Sequence, residues 1–372
     1  MKQINVLTVV ALVSVLGLAA CDSRTATTSV LPTHVSAIPT ATSQLTPTRT
    51  PTMAPSPIPT MSSTAMPTEI PYRWSHAGSL VSMNAMTFVS DYEAWAVGDY
   101  GYIAHWEGAL GWKHVSSPTE TALYAVFFIS PDDGWIVGDG GQILHWDGEA
   151  WSMIRQAQTP YAFGWPYLHT VAFAGPDDGW ALGCIDTEGG SGIWGLHWDG
   201  REWQEASNVS PLQESLCFTA MAVLSPDDIW AVGGGDRGIT LHWDGSWWHD
   251  IPNPAGYWLY SLDAITADNV WAVGIEDTRE GYTGIVIHWD GTAWSEVELP
   301  ATGWINDVAA LSDDDIWVGG DDLLHWDGRE WEKFEKPVIS WDRIIEIEIA
   351  PGGQVWALTE YGEFLSLGIA SR

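Results

Sequence analysis

The chain has 372 residues, among them 26 Trp, 38 Gly, 21 Pro and only 3 Cys. With 14 Lys and Arg against 48 Asp and Glu its formal charge is −34, which excludes the basic footprint that nucleic acid requires and disfavours anionic lipid headgroups. So many indoles also exclude a wholly disordered chain, because disordered segments are poor in aromatics.

In chain order, residues 1–21 resemble a lipoprotein signal. Lys2 gives the positive start, Val6 to Leu16 form a short apolar run, and Leu18-Ala19-Ala20-Cys21 is similar to the lipobox. The apolar run is too short to be a stable membrane span. The resemblance implies cleavage before Cys21 and lipid on its sulfur and new amino group. Several acyl chains make a stable anchor, so the expected location is the cell envelope, on the extracytoplasmic side of a bacterial membrane. An ordinary secretory signal is the alternative. Residues 22–71 hold 9 Pro, 13 Thr and 7 Ser and no Trp, Phe or Tyr. Such a stretch cannot bury enough apolar surface to offset its chain entropy, and reads as a disordered tether.

From residue 72 to 372 one unit is written seven times. An Asp-rich turn leads into a Trp-containing apolar run, as in Ser130-Pro131-Asp132-Asp133-Gly134-Trp135 and Ser225-Pro226-Asp227-Asp228-Ile229-Trp230. The Trp positions are 95, 135, 180, 230, 271, 317 and 356, a period of 39 to 50 residues. The second half of the unit is His-Trp-Asp-Gly-x-x-Trp, at 145–151, 197–203, 242–248, 288–294 and 325–331, with a looser copy from His105 to Trp112. Asp-Gly between two apolar runs is a strong hairpin signal, because its turn needs positive φ. Short strands at this period predict an all-β, seven-bladed β-propeller of four-stranded antiparallel blades. The last blade lacks the His-Trp-Asp-Gly segment, and Tyr72-Arg73-Trp74 resembles the outer-strand opening Arg201-Glu202-Trp203. The N-terminal strand is therefore expected to close the last blade and cover its edge.

The repeat resembles the bacterial neuraminidase repeat (Asp-box) and the photosystem II assembly factor-like propellers. It departs from the strict Asp-box, with Trp-Asp-Gly-x-x-Trp in place of Ser-x-Asp-x-Gly-x-x-Trp. Those families host glycosidases, adhesins and assembly factors, so the resemblance implies a fold before it implies a function.

The histidines at 105, 145, 197, 242, 288 and 325 share one repeat position. Equivalent positions of neighbouring blades lie too far apart for one metal ion, so packing and hydrogen bonding between blades is the expected role. The acids of the turns read as punctuation, bonding nearby backbone amides. Cys184 and Cys217 fall on one face of adjacent blades, and are either a disulfide or two separate small buried residues.

The ligand face expected of a propeller carries Tyr167, Trp258 and Trp304 at one repeat position, with Trp165 and Trp341 two residues earlier. Acidic loops at Asp99, Asp139, Asp236, Asp321 and Asp322 lie beside them. Aromatic faces with carboxylates suit sugar rings or basic and apolar peptide segments; the alternative is that these rings pack between blades. Asp263, Asp307, Glu346 and Glu348 stand on inner strands where earlier blades have mostly Ala, Thr or Phe. Four carboxylates would suit Ca²⁺, or would line a wet channel; no other cofactor is expected. A sialidase-type mechanism needs an arginine cluster and a Tyr nucleophile, and only Arg237, Arg279 and Arg343 fall on the upper face. No catalytic set is assigned. The expectation is a non-catalytic, surface-displayed propeller that recognises a protein, peptide or glycan. Its alternatives are a sialidase-like glycosidase using Asp307 and Glu346, and an assembly factor for an envelope complex.

Overall fold

The computed structural model describes residues 72–369, apart from 81, 157–163, 188–189, 207–215, 236, 255–257, 279–280, 301 and 337–341. The expected signal, Cys21 and the tether lie outside the described residues, as do Asp236, Arg279 and Trp341. The rest forms seven four-stranded antiparallel sheets, the blades of a propeller. The innermost strands are Met83–Ser90, Leu123–Ser130, Trp165–Gly175, Leu216–Ser225, Trp258–Thr266, Ile305–Ser312 and Ile344–Ile349. They surround a central channel of about 700 Å³. The last blade takes its outer strand from the N-terminal side: Tyr72–Ser79 pairs antiparallel with Glu363–Ile369.

The core lies between blades. Trp95, 2% exposed, closes a cluster that joins Ala85 and Val97 of blade one to Leu123, Val126, Leu144 and Trp151 of blade two. Its indole meets Trp146 and Trp151 of the next blade at 4.9 and 5.6 Å. Trp135 with Trp198 and Trp203, and Trp180 with Trp243 and Trp248, repeat the contact. Each such ring removes about 150–250 Å² from water, worth roughly 4–6 kcal/mol at about 25 cal/mol per Å². The tryptophan period thus sets the blade period.

The histidine of each repeat acts within its own blade, where contacts between blades were expected. His145 Nε2 lies 2.9 Å from Asp133 Oδ1 at the start of the second strand, and His242 Nε2 lies 2.8 Å from Asp228 Oδ1. His105 stacks on Trp95 of the same blade at 4.1 Å, and His325 on Trp317 at 4.2 Å. Adjacent strands bring these side chains opposite one another, leaving the far face of the indole for the next blade. Blade five varies the pair, with His288 Nε2 at 2.8 Å from Asn269 Oδ1. The hairpin acids do serve their own turns. Asp147 Oδ1 accepts the N–H groups of Glu149 and Ala150 at 3.0 and 2.9 Å, and these bonds hold its carboxyl below the usual range.

Candidate binding face at the channel mouth

Each inner strand carries an irregularity near its start, where one residue has no opposite number on the second strand, as between Leu123 and Ala125, Leu168 and Thr170, and Leu259 and Ser261. Such a bulge re-aims its side chain. The residues concerned, Asn84, Tyr124, His169, Thr219, Tyr260, Asn306 and Ile345, ring the channel. Tyr167, Trp258 and Trp304 stand three residues before Thr170, Ser261 and Asp307, the residues that follow the bulge in blades three, five and six.

They do not gather into one cluster. Trp165, 36% exposed, donates its Nε1–H to Asp139 Oδ1 at 2.5 Å. Nearby, His169 stacks between Tyr124 at 5.2 Å and Tyr167 at 6.0 Å. Burial, reinforced by Asp139, Tyr167 and Asp99, pushes the Tyr124 phenol up to about 12, and burial pushes His169 down. Across the ring, Trp304 stacks on Tyr260 at 6.0 Å and meets Tyr282 at 5.0 Å. The Arg343 guanidinium lies over the Trp304 ring at 4.8 Å and donates from Nε to Asp321 Oδ1 at 2.9 Å. Asp321 Oδ2 accepts the Trp304 backbone N–H at 2.9 Å. Trp258 is 48% exposed and donates its Nε1–H to Gly235 O at 2.5 Å. Seven-fold spacing keeps equivalent positions apart, so among the described residues the aromatic face is two stacks and a separate indole, Trp258. Asp99 instead accepts Asn84 Nδ2–H at 3.2 Å, while the same amide donates to Leu123 O of the next blade at 2.9 Å.

Lower in the channel the four inner-strand carboxylates run around one side. Asp263 Oδ2 accepts Ala310 N–H at 2.9 Å, Asp307 Oδ2 accepts Ile347 N–H at 2.5 Å, and Glu346 Oε2 accepts Met86 N–H at 2.6 Å. Glu348 takes a hydrogen bond from the Thr87 hydroxyl. Each acid therefore bonds the inner strand of the following blade, three through backbone N–H groups and Glu348 through a hydroxyl, from blade five through the closure into blade one. Burial raises all four, Asp307 to about 7, Glu348 to about 8, Asp263 above the usual range and Glu346 well above it, with Asp307 and Glu348 adding repulsion at Glu346. Burial thus favours the protonated forms, most firmly at Glu346 and Glu348, and each acid still serves as a hydrogen-bonding staple. Among the described residues, the metal-type donors that gather within 4.8 Å of one another are His169, Cys184 and Cys217. Cys184 and Cys217 are joined by a disulfide, with Cα atoms 4.8 Å apart.

No family model matches the chain, and no curated protein does. Solved structures do. YCF48 bound to D1 peptide aligns over 81% of this chain and 96% of its own, with TM-score 0.60 at 17% identity. YCF48 from Cyanidioschyzon merolae aligns over 79% and 98%, with TM-score 0.59 at 17% identity. The WD40 β-propeller domain of Doa1 gives TM-score 0.60 at 11% identity, over 79% and 97%. Likeness at such identities establishes the propeller fold.

The sequence marked Tyr167, Trp258, Trp304, Trp165 and the acids Asp99, Asp139 and Asp321, but missed Tyr124, His169, Tyr260 and Tyr282. The signal for three of these was the repeat position one residue before that of Asp307, occupied by Asn, Tyr, His, Thr, Tyr, Asn and Ile in successive blades. Tyr282 sits on a third strand, Gly281–Trp289, lengthened by its own hairpin.

Proposed function

We propose that this is a non-catalytic binding propeller that takes a protein or peptide segment across the channel mouth. The observation that carries the reading is the pair of exposed indoles, Trp165 and Trp258, each fixed by an Nε1–H bond to the preceding blade. Rings held in place lose little freedom on binding, so their apolar faces are preorganised for contact. Asp139, which accepts the Trp165 Nε1–H, and Asp99, which acts on Tyr124, favour a segment with a basic residue. One structural neighbour was solved with a peptide bound, which supports a peptide as the ligand class. Display on the outer side of a membrane through lipid on Cys21 belongs to the same proposal.

The test is a peptide array, with a glycan array beside it, probed with the full chain carrying Cys21→Ser. Saturable binding to peptides that weakens at least tenfold in Trp258→Ala or Trp165→Ala, with the melting temperature held, supports the reading. Binding that survives both substitutions removes the aromatic face from the site. Hits confined to glycans would replace the ligand class. Fatty-acid labelling of the parent chain, lost in Cys21→Ser, tests the anchor.

A further inference from the structure

The upper end of blades three and four holds a constellation that the binding reading does not use. Cys184 lies on the second strand of blade three, Asp178–Thr187, and Cys217 on the inner strand of blade four. His169 lies at the bulge of blade three's inner strand and faces the channel. Its Nε2 is 3.9 Å from Cys184 Sγ, and all three donor atoms fall within 4.8 Å of one another.

Comparison among blades shows that His169 makes a different contact from its polar counterparts in three other blades. In blades one, four and six the side chain at this position reaches forward to a carbonyl of the next blade. Asn84 donates to Leu123 O at 2.9 Å, Thr219 to Leu259 O at 2.9 Å, and Asn306 to Ile344 O at 2.8 Å. The corresponding carbonyl for blade three is Phe218 O, and its neighbour is Cys217 Sγ at 3.6 Å. His169 directs its ring nitrogen at sulfur instead. An imidazole and two sulfurs from three separate strand positions, beside the central channel, are the donor set of a zinc site with one position left for an outside ligand.

We propose that, once the Cys184–Cys217 bond is reduced, Cys184, Cys217 and His169 bind one Zn²⁺ at the channel mouth. A dithiol reductant supplies two electrons and two protons. Its own thiols close to a disulfide while the Cys184–Cys217 bond opens to two thiols. Zn²⁺ then displaces both thiol protons and binds the thiolates and the neutral imidazole nitrogen, with water in the fourth position. Bonds of about 2.3 Å to sulfur and about 2.0–2.1 Å to nitrogen place tetrahedral donors roughly 3.3–3.8 Å apart. The nitrogen–sulfur separation of 3.9 Å is already close to that range. With Cα atoms 4.8 Å apart, the sulfurs reach the required spacing by rotation of their side chains.

The experiment uses the full chain with Cys21→Ser, so that its thiols are Cys184 and Cys217 alone. The protein is reduced, freed of reductant under nitrogen, and titrated with Co²⁺ as a coloured stand-in and then with Zn²⁺. One Co²⁺ per chain with a thiolate charge-transfer band, bleached by Zn²⁺ and absent from the oxidised protein, is the expected result. Zn²⁺ should raise the melting temperature of the reduced chain only. His169→Ala should weaken binding at least tenfold, and Cys217→Ser should abolish the band. No band in reduced protein that keeps its near-ultraviolet circular dichroism overturns the proposal. So does a His169→Ala variant that binds like the parent. If reduction itself unfolds the propeller, failure of Zn²⁺ to restore the folded signal overturns it equally.

Discussion

Replacing Asp307 with Asn tests the channel staples, and the structure fixes the sign and scale of the outcome. Burial raises the Asp307 carboxyl from 3.8 to about 7 and the Glu348 carboxyl from 4.5 to about 8. Between those limits the folded chain holds protons that the unfolded chain has released. The unfolding free energy must therefore fall as pH rises across that window. The stabilisation is complete below about pH 4 and is lost as pH passes through about 7 to 8. For Asp307 alone, a displacement from 3.8 to about 7 amounts to roughly 4 kcal/mol at about 1.4 kcal/mol per pH unit. Asp307 and Glu348 repel each other when both are ionised, so their losses are shared rather than summed. A chain of this size loses about 2–4 °C per kcal/mol, so wild type should melt on the order of 10 °C lower at pH 8 than at pH 5. Urea unfolding followed by tryptophan fluorescence, at about 0.5 M salt to screen the surface charge, gives the profile. Asp307→Asn keeps an acceptor for Ile347 N–H and removes the titration. It should flatten the profile and be no less stable than the parent at pH 8. A wild-type profile that is flat or rises from pH 5 to pH 8, or an unchanged slope in Asp307→Asn, would refute the reasoning. Recovery of stability at pH 8 on adding Ca²⁺ would show that the carboxylates are ionised and take a cation.

Other outcomes follow from the repeat contacts. His325 holds the Asp315 carboxyl below its usual range through their hydrogen bond. His325→Phe should return that carboxyl upward, as read by carboxyl NMR titration, and the variant should lose less stability than the parent on acidification below about pH 4. Gly245 sits at φ 86°, and a Cβ there would lie 2.7 Å from Asp227 Cβ; Gly245→Ala should cost about 1–2 kcal/mol in denaturant unfolding. Removing residues 72–79 uncovers the Glu363–Ile369 edge, and the truncated chain should form oligomers by light scattering where the parent does not.

The blades were legible because their signals are local. His-Trp-Asp-Gly-x-x-Trp marks a hairpin by itself, and Tyr72-Arg73-Trp74 could be matched to Arg201-Glu202-Trp203 without knowing a single contact. The channel acids were legible as outliers of the repeat, since Asp307 and Glu346 stand where other blades carry Ala, Thr or Ser. Their partners were not. That Glu346 meets Met86 N–H, 260 residues away, depends on how the last blade docks on the first, which no neighbouring residue encodes. The same holds for His145, whose partner is set by pairing of the second and third strands of one blade. Tyr124, His169 and Tyr260 were missed because a bulge turns them toward the channel, and an alternating pattern places them on the other side.

The pairing of Tyr72–Ser79 with Glu363–Ile369 changes the thermodynamics as well as the outline. In an open array each repeat is stabilised by its neighbours, and the end repeats fray because they have only one. Here blade seven contacts both blade six and blade one, so no blade is an end. Local opening at any point must sacrifice two interfaces at once. The blades therefore have no preferred place to begin unfolding, and eight residues at the start of the ring decide whether the other six blades melt one after another or together.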